Sequence, residues 1–275
     1  MKYAQHFLYQ NNPTLHGIQI TGKRGRLFSS LYTAGGKGLH PVVLLLHGIP
    51  GNEQNLDLAQ ELRRNGFHVL TFHYSGCFGS DGDYTLSHNI EDANTVLDFI
   101  LQDELYGFDK SNIFVVGHSM GGFVASHLTA KRNEINGSAL LMPCNVGRIF
   151  EIEKENTDVC DTLKSILFYS SEWLNGASLE KFMLELTNHS NCFPIENLAY
   201  ALHNKPILLI EAMNDCHTPP EYHSKPLKDA ICNFKNCKLT VLELETDHFA
   251  SNCRPALCNE VVSYFHSLLE ESSKC

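Results

Sequence analysis

The chain has 275 residues, 43% apolar and 19% charged, which can bury one large core and argues against disorder. Its formal charge of -10 accompanies only a short basic run, Lys23-Arg24-Gly25-Arg26, which disfavours nucleic acid or an anionic membrane as partner. The opening MKYAQHFLYQNNP has neither an apolar h-region nor a small-residue cleavage site, and the longest aliphatic run, Val42 to Leu46, is too short for a bilayer.

Taken in chain order, Gly17 to Thr21 and Arg26 to Thr33 read as strands of an opening hairpin or meander, and Pro41 to His47 (PVVLLLH) as a fully buried strand. A helix follows from about Gln54 to Asn65, with Leu58 and Leu62 on one face and Gly66 to end it. His68 to Phe72 is the next strand, and the apolar spacing from Ile90 to Leu101 is that of a helix. Strands are predicted at Asn112 to Val116, Ser138 to Met142, Pro206 to Ala212 and Lys238 to Leu244, and helices at Gly122 to Lys131 and Pro255 to Leu269. This alternation predicts an α/β fold, a mostly parallel sheet flanked by helices.

The alternation breaks between Pro143 and Lys205. Residues 1–142 and 205–275 are expected to form the core, and 143–204 a helical cap above the carboxyl ends of the strands, where open α/β sheets bind ligands. Phe168, Trp173 and Phe182 are its candidate substrate-binding residues.

Gly117-His118-Ser119-Met120-Gly121 joins a buried strand directly to a helix, the context that a G-x-S-x-G nucleophile elbow requires. Ser119 is the candidate nucleophile. His118 beside it is expected to pack. A serine hydroxyl needs a base, and His248 follows the last predicted strand at the same end of the sheet, with His217 a weaker candidate. Asp215, just past the strand Pro206 to Ala212, is the expected acid, ahead of Asp247, which adjoins His248 too closely, and Glu211, which falls within a strand. The oxyanion amides are assigned to Met120 and to Ile49 in the loop His47-Gly48-Ile49-Pro50-Gly51, where Pro50 cannot donate and His47 is expected to brace the loop.

HGIPGN, SGCFGSDG at Ser75 to Gly82, GHSMGG and the Asp215/His248 pair occur in the order of the α/β-hydrolase superfamily, which the chain resembles over about three-quarters of its length. HYSGCFGSDGDY followed by NIEDANTVLDFI is similar to bacterial carboxylesterases of the cinnamoyl/feruloyl esterase group. That resemblance implies hydrolysis of small or aromatic acyl esters through an acyl-enzyme, without metal or organic cofactor. His73 departs from it, standing where such esterases often place an acid, and the 143–204 insertion has no match.

A serine peptidase or an acyl thioesterase would use the same triad; a non-catalytic binding module is the alternative from another class. Ten cysteines without a secretion signal read as reduced thiols in a cytoplasmic protein. The Cys232-x4-Cys237 and Cys253-x4-Cys258 spacing only loosely imitates a zinc ribbon and reads as half-buried core residues.

Overall fold

The computed structural model describes residues 12–272. The opening MKYAQHFLYQNNP, residues 1–13, therefore lies almost wholly outside the described residues.

The two glycine-flanked opening strands, β1 (Thr14–Gly22) and β2 (Gly25–Thr33), form an antiparallel hairpin, and β2 pairs antiparallel with β4 (His68–Phe72). From β4 onward every pairing is parallel: β4 to β3 (His40–Leu46), then β5 (Phe108–His118), β6 (Ile135–Leu141), β7 (Ile207–Ala212) and β8 (Leu239–Leu244). The eight-stranded order is β1-β2-β4-β3-β5-β6-β7-β8. β3 and β5 are central, which is why Val42 to Leu46 and Ile113 to Val116 are continuously apolar: both faces are covered.

Alternating side chains divide between two cores. Val42, Leu44, Leu46 and Val115 pack with α2 (Leu86–Gln102), α3 (Met120–Lys131) and α8 (Lys225–Cys232). Val43, Leu45, Phe114 and Val116 pack with α1 (Leu56–Arg64) and α9 (Arg254–Ser272). α2 starts a turn before the apolar repeat shows it, because Thr85 caps it by accepting from the His88 amide at 3.1 Å.

Between β6 and β7 run α4 (Ile149–Glu155), α5 (Thr157–Ser171), α6 (Leu179–Asn188) and α7 (Ala199–Leu202). Leu163, Leu167, Phe182 and Leu186 join the α2/α3 core. Glu185 also reaches across to accept from the first amides of α2, Leu86 at 2.9 Å and Ser87 at 2.7 Å, filling donors that a helix start leaves unpaired. No helix among the described residues is long and apolar enough to cross a membrane.

The SGCFGSDG loop is held from both sides. Arg24 pairs with Asp92 at 2.6 Å, Asp92 accepts from the Ser75 amide at 2.7 Å, and Asp81 binds the Arg26 side chain at 2.9 Å. The second half of the resemblance, NIEDANTVLDFI, thus contains the buried carboxylate that anchors the first.

Candidate active site

Ser119 sits between β5 and α3 at φ 55° and ψ -120°, a conformation disfavoured for a residue with a Cβ. Two close approaches hold it there. A Cβ on Gly117 would lie 2.2 Å from the Gly121 carbonyl oxygen, and one on Gly121 would lie 2.1 Å from that of Leu46. Glycine at both positions lets strand and helix meet, so the turn projects Ser119 from the sheet and points the amino end of α3 at the same place.

Ser119, His248, Ile49 and Met120 line one cavity of about 650 Å³. Behind it, His248 Nδ1 lies 2.7 Å from Asp215 Oδ2. Asp215 Oδ1 accepts from the amides of His217 at 2.8 Å and Thr218 at 2.9 Å, and the Thr218 hydroxyl lies 2.8 Å from Oδ2. Burial pushes the Asp215 carboxyl up, but the hydrogen bond and charge of His248 and the Thr218 donors outweigh it, leaving the group at about 2. A carboxylate so held stays ionised beside the imidazole and fixes Nδ1–H, leaving Nε2 for a reacting proton.

The rival acids are engaged elsewhere. Glu211 is buried in β7, where Lys228 donates to it at 2.6 Å and Ser224 also bonds it. Asp247 is exposed and accepts from the amides of Phe249 at 3.0 Å and Ser251 at 2.9 Å. His217 stacks on His248 with ring centroids 5.0 Å apart, and it lines the cavity.

His118 does more than pack. Its Nε2–H donates to the His248 carbonyl at 2.9 Å, tying the histidine loop to the strand that carries the elbow. Burial lowers its pKa to about 3, so the ring is neutral. His47 Nδ1 lies 2.6 Å from the Gly48 carbonyl, the bracing expected of it.

The cap residues need correction. Trp173 and Phe168 are exposed, Phe182 is buried against Tyr84, and none of the three lines the cavity. The insertion instead contributes Leu163, Ile166, Tyr169 and Ser170, from the side of α5 turned toward Ser119. Aromatic content marks large groups but not the phase of a helix, and Phe168 falls on the wrong side of the turn. Thr218, Cys144 and Phe249 were also missed; the Asp-x-x-Thr spacing at 215–218 was the available signal for Thr218.

A family model described as alpha/beta hydrolase fold matches residues 41–176, from β3 to just beyond α5. The chain belongs to the α/β-hydrolase superfamily. Among solved structures, this α/β-hydrolase is similar to Est1E from Butyrivibrio proteoclasticus with ferulic acid bound (TM-score 0.70, 19% identity, covering 92% of this chain and 99% of that one). It is also similar to the Pyrococcus furiosus esterase Pf2001 (TM-score 0.67, 17% identity, covering 94% and 92%). Among curated sequences, it is 32% identical over 133 residues to a multifunctional-autoprocessing repeats-in-toxin protein of Vibrio cholerae, spanning 45% of this chain and 3% of the toxin. It is 33% identical over 95 residues to the lysophosphatidylserine lipase ABHD12 of Gallus gallus, spanning 34% of this chain and 24% of the lipase. The chain therefore spans a small part of these curated relatives.

Proposed function

We propose that this α/β-hydrolase is a serine hydrolase of carboxylic esters, with Ser119 as nucleophile, His248 as general base and Asp215 as the acid that orients it. The observation that carries the reading is the 2.7 Å pairing of Asp215 with His248, on the cavity into which the strained Ser119 turn opens. Ser119 attacks the carbonyl carbon as His248 takes its proton. The amides of Ile49 and Met120 stabilise the oxyanion. His248 then protonates the leaving alkoxide and activates water for deacylation.

Residues 143–204 act as the cap that shapes the acyl site. Ile49, Leu163, Ile166, Tyr169 and Phe249 offer apolar surface to a short or aromatic acyl chain. Glu53, Asp158 and Asp161 also border the cavity, with no lysine or arginine among its lining residues. Uncharged esters therefore suit it better than anionic acyl-CoA or a lysophospholipid headgroup.

A fluorophosphonate probe tests the nucleophile: the chain should be labelled, and Ser119→Ala should not. Label persisting in that variant sinks the assignment. A panel of p-nitrophenyl esters, methyl ferulate, acyl-CoA and aminoacyl amides then decides among esterase, thioesterase and peptidase, with the neutral esters expected to turn over fastest.

A further inference from the structure

Behind the oxyanion loop, the end of β3 and the turn after β4 bring His47, His73 and Cys77 together. One donor atom from each lies within 4.8 Å of the others, and all three residues are buried. No other such group of histidine, cysteine or carboxylate ligands occurs among the described residues, and the Cys232, Cys237, Cys253 and Cys258 set does not form one.

The hydrogen bonding favours a ligand here. At 2.6 Å from the Gly48 carbonyl, His47 Nδ1 must carry the proton and donate. That leaves Nε2 as a lone pair, buried and without a hydrogen-bond partner. An imidazole fixed through one ring N–H by a carbonyl, with its other nitrogen unprotonated, has the arrangement of a metal-ligating histidine. Cys77 Sγ lies 3.8 Å from His73 Nδ1 and donates to the Pro50 carbonyl at 3.0 Å.

We propose that His47, His73 and Cys77 form a zinc(II) site, with the fourth position taken by the Pro50 carbonyl or a water. Two imidazoles and a thiolate match the ligand preference of this borderline-soft ion. Binding forms one Zn–S and two Zn–N bonds and releases the Cys77 thiol proton to solvent; nothing is oxidised or reduced. Bonds of about 2.0–2.3 Å set tetrahedral donors roughly 3.5 Å apart, so the ion draws the cluster inward by about 1 Å. The loop rests directly on these groups: a Cβ on Gly51 would lie 2.7 Å from His47 Cε1 and 2.9 Å from Cys77 Sγ. Contraction therefore shifts the segment that carries the Ile49 amide, and zinc slows turnover. That last effect rests on the hydrolase reading; the binding does not.

The test is titration of the chelator-treated chain with cobalt(II), then zinc(II), with bound metal counted after dialysis. The expected result is one equivalent of cobalt with a thiolate-to-cobalt charge-transfer band that zinc abolishes. Cys77→Ser should lose affinity by roughly 100-fold or more, and His73→Ala should weaken it by a comparable factor. Cys216→Ser and Cys232→Ser, on exposed thiols, should bind as the parent does. Metal-free melting curves for each variant separate lost ligation from lost folding. A band that survives in both Cys77→Ser and His73→Ala, or no band at saturating cobalt, overturns the site. With the site filled, unchanged ester hydrolysis overturns the coupling to the loop, whereas a metal-free chain that hydrolyses no ester and takes no fluorophosphonate overturns the hydrolase reading and leaves the spectroscopic result standing.

Discussion

The carboxyl edge of the sheet and the helical insertion above it face each other across one cavity, yet they are built differently. At the edge, geometry is enforced by backbone: Gly117 and Gly121 at van der Waals limits, and a carboxylate with four donors around it. The insertion is anchored away from the cavity, where Glu185 caps α2 and Asn175 exchanges backbone hydrogen bonds with Gly76 and Tyr84. What it turns toward Ser119 is a row of side chains on α5 with no comparable constraint. On the proposed function, chemistry is fixed on one wall and selectivity is free to vary on the other.

The strongest way to break this contrast is at the edge. Ser119→Ala should lower kcat by roughly 10³ to 10⁶ with the melting temperature nearly unchanged. Gly121→Val should instead abolish both activity and a cooperative melt, since its Cβ alone would meet the Leu46 carbonyl at 2.1 Å. A stably folded, active Gly121→Val chain would show that the elbow is not tightly held.

These two residues also show what the sequence made legible. Gly-x-Ser-x-Gly reports a backbone constraint, and such constraints admit few residue types, so β5, the turn and α3 could be read from letters alone. The carboxylate that pairs with His248 was separable from Glu211 because Asp215 follows a strand and Glu211 lies within it. The face of α5 was not legible: Leu163, Ile166 and Tyr169 line the cavity while Phe168 points away, and only the packed orientation of the helix decides that. The His118 bond to the His248 carbonyl was hidden too, because its partner is a backbone atom 130 residues away.

Acid should distinguish the two walls next. His47, His118 and His223 are buried at the edge, and burial lowers each to about 3 from an ordinary value near 6.5. Their depressed values mean the fold favours the neutral rings, so this stability is complete above about pH 6.5 and is lost as pH falls toward 3. Between those limits unfolding adds as many as three protons to these rings, a slope of roughly 4 kcal/mol per pH unit, and His68 and His127, lowered by burial to about 4, add in the same direction. Asp215 adds in the same direction lower down, from about pH 4 to about 2. Urea unfolding at pH 7, 6 and 5 should show the midpoint falling steeply; a flat profile would mean that the edge histidines are hydrated and the wall is looser than its contacts imply.

The smallest effects should come from the insertion, and their pattern matters more than their size. Replacing Ile166 or Tyr169 by Ala removes apolar surface from the cavity, which is worth about 1–3 kcal/mol to an acyl group that fills it. Such a change should raise KM for an aromatic ester by about tenfold while leaving acetate esters almost untouched, because a short acyl chain does not reach α5. Trp173→Ala, at a residue 67% exposed and outside the cavity lining, should alter neither. If Trp173→Ala impairs the aromatic ester and Ile166→Ala does not, then substrate enters over the far end of α5, and the insertion must close around it rather than stand as an already formed wall. Equal losses across short and aromatic esters would carry a different meaning: the α5 side chains would be supporting the position of the Ser119 turn itself, and the division between a fixed and a variable wall would fail.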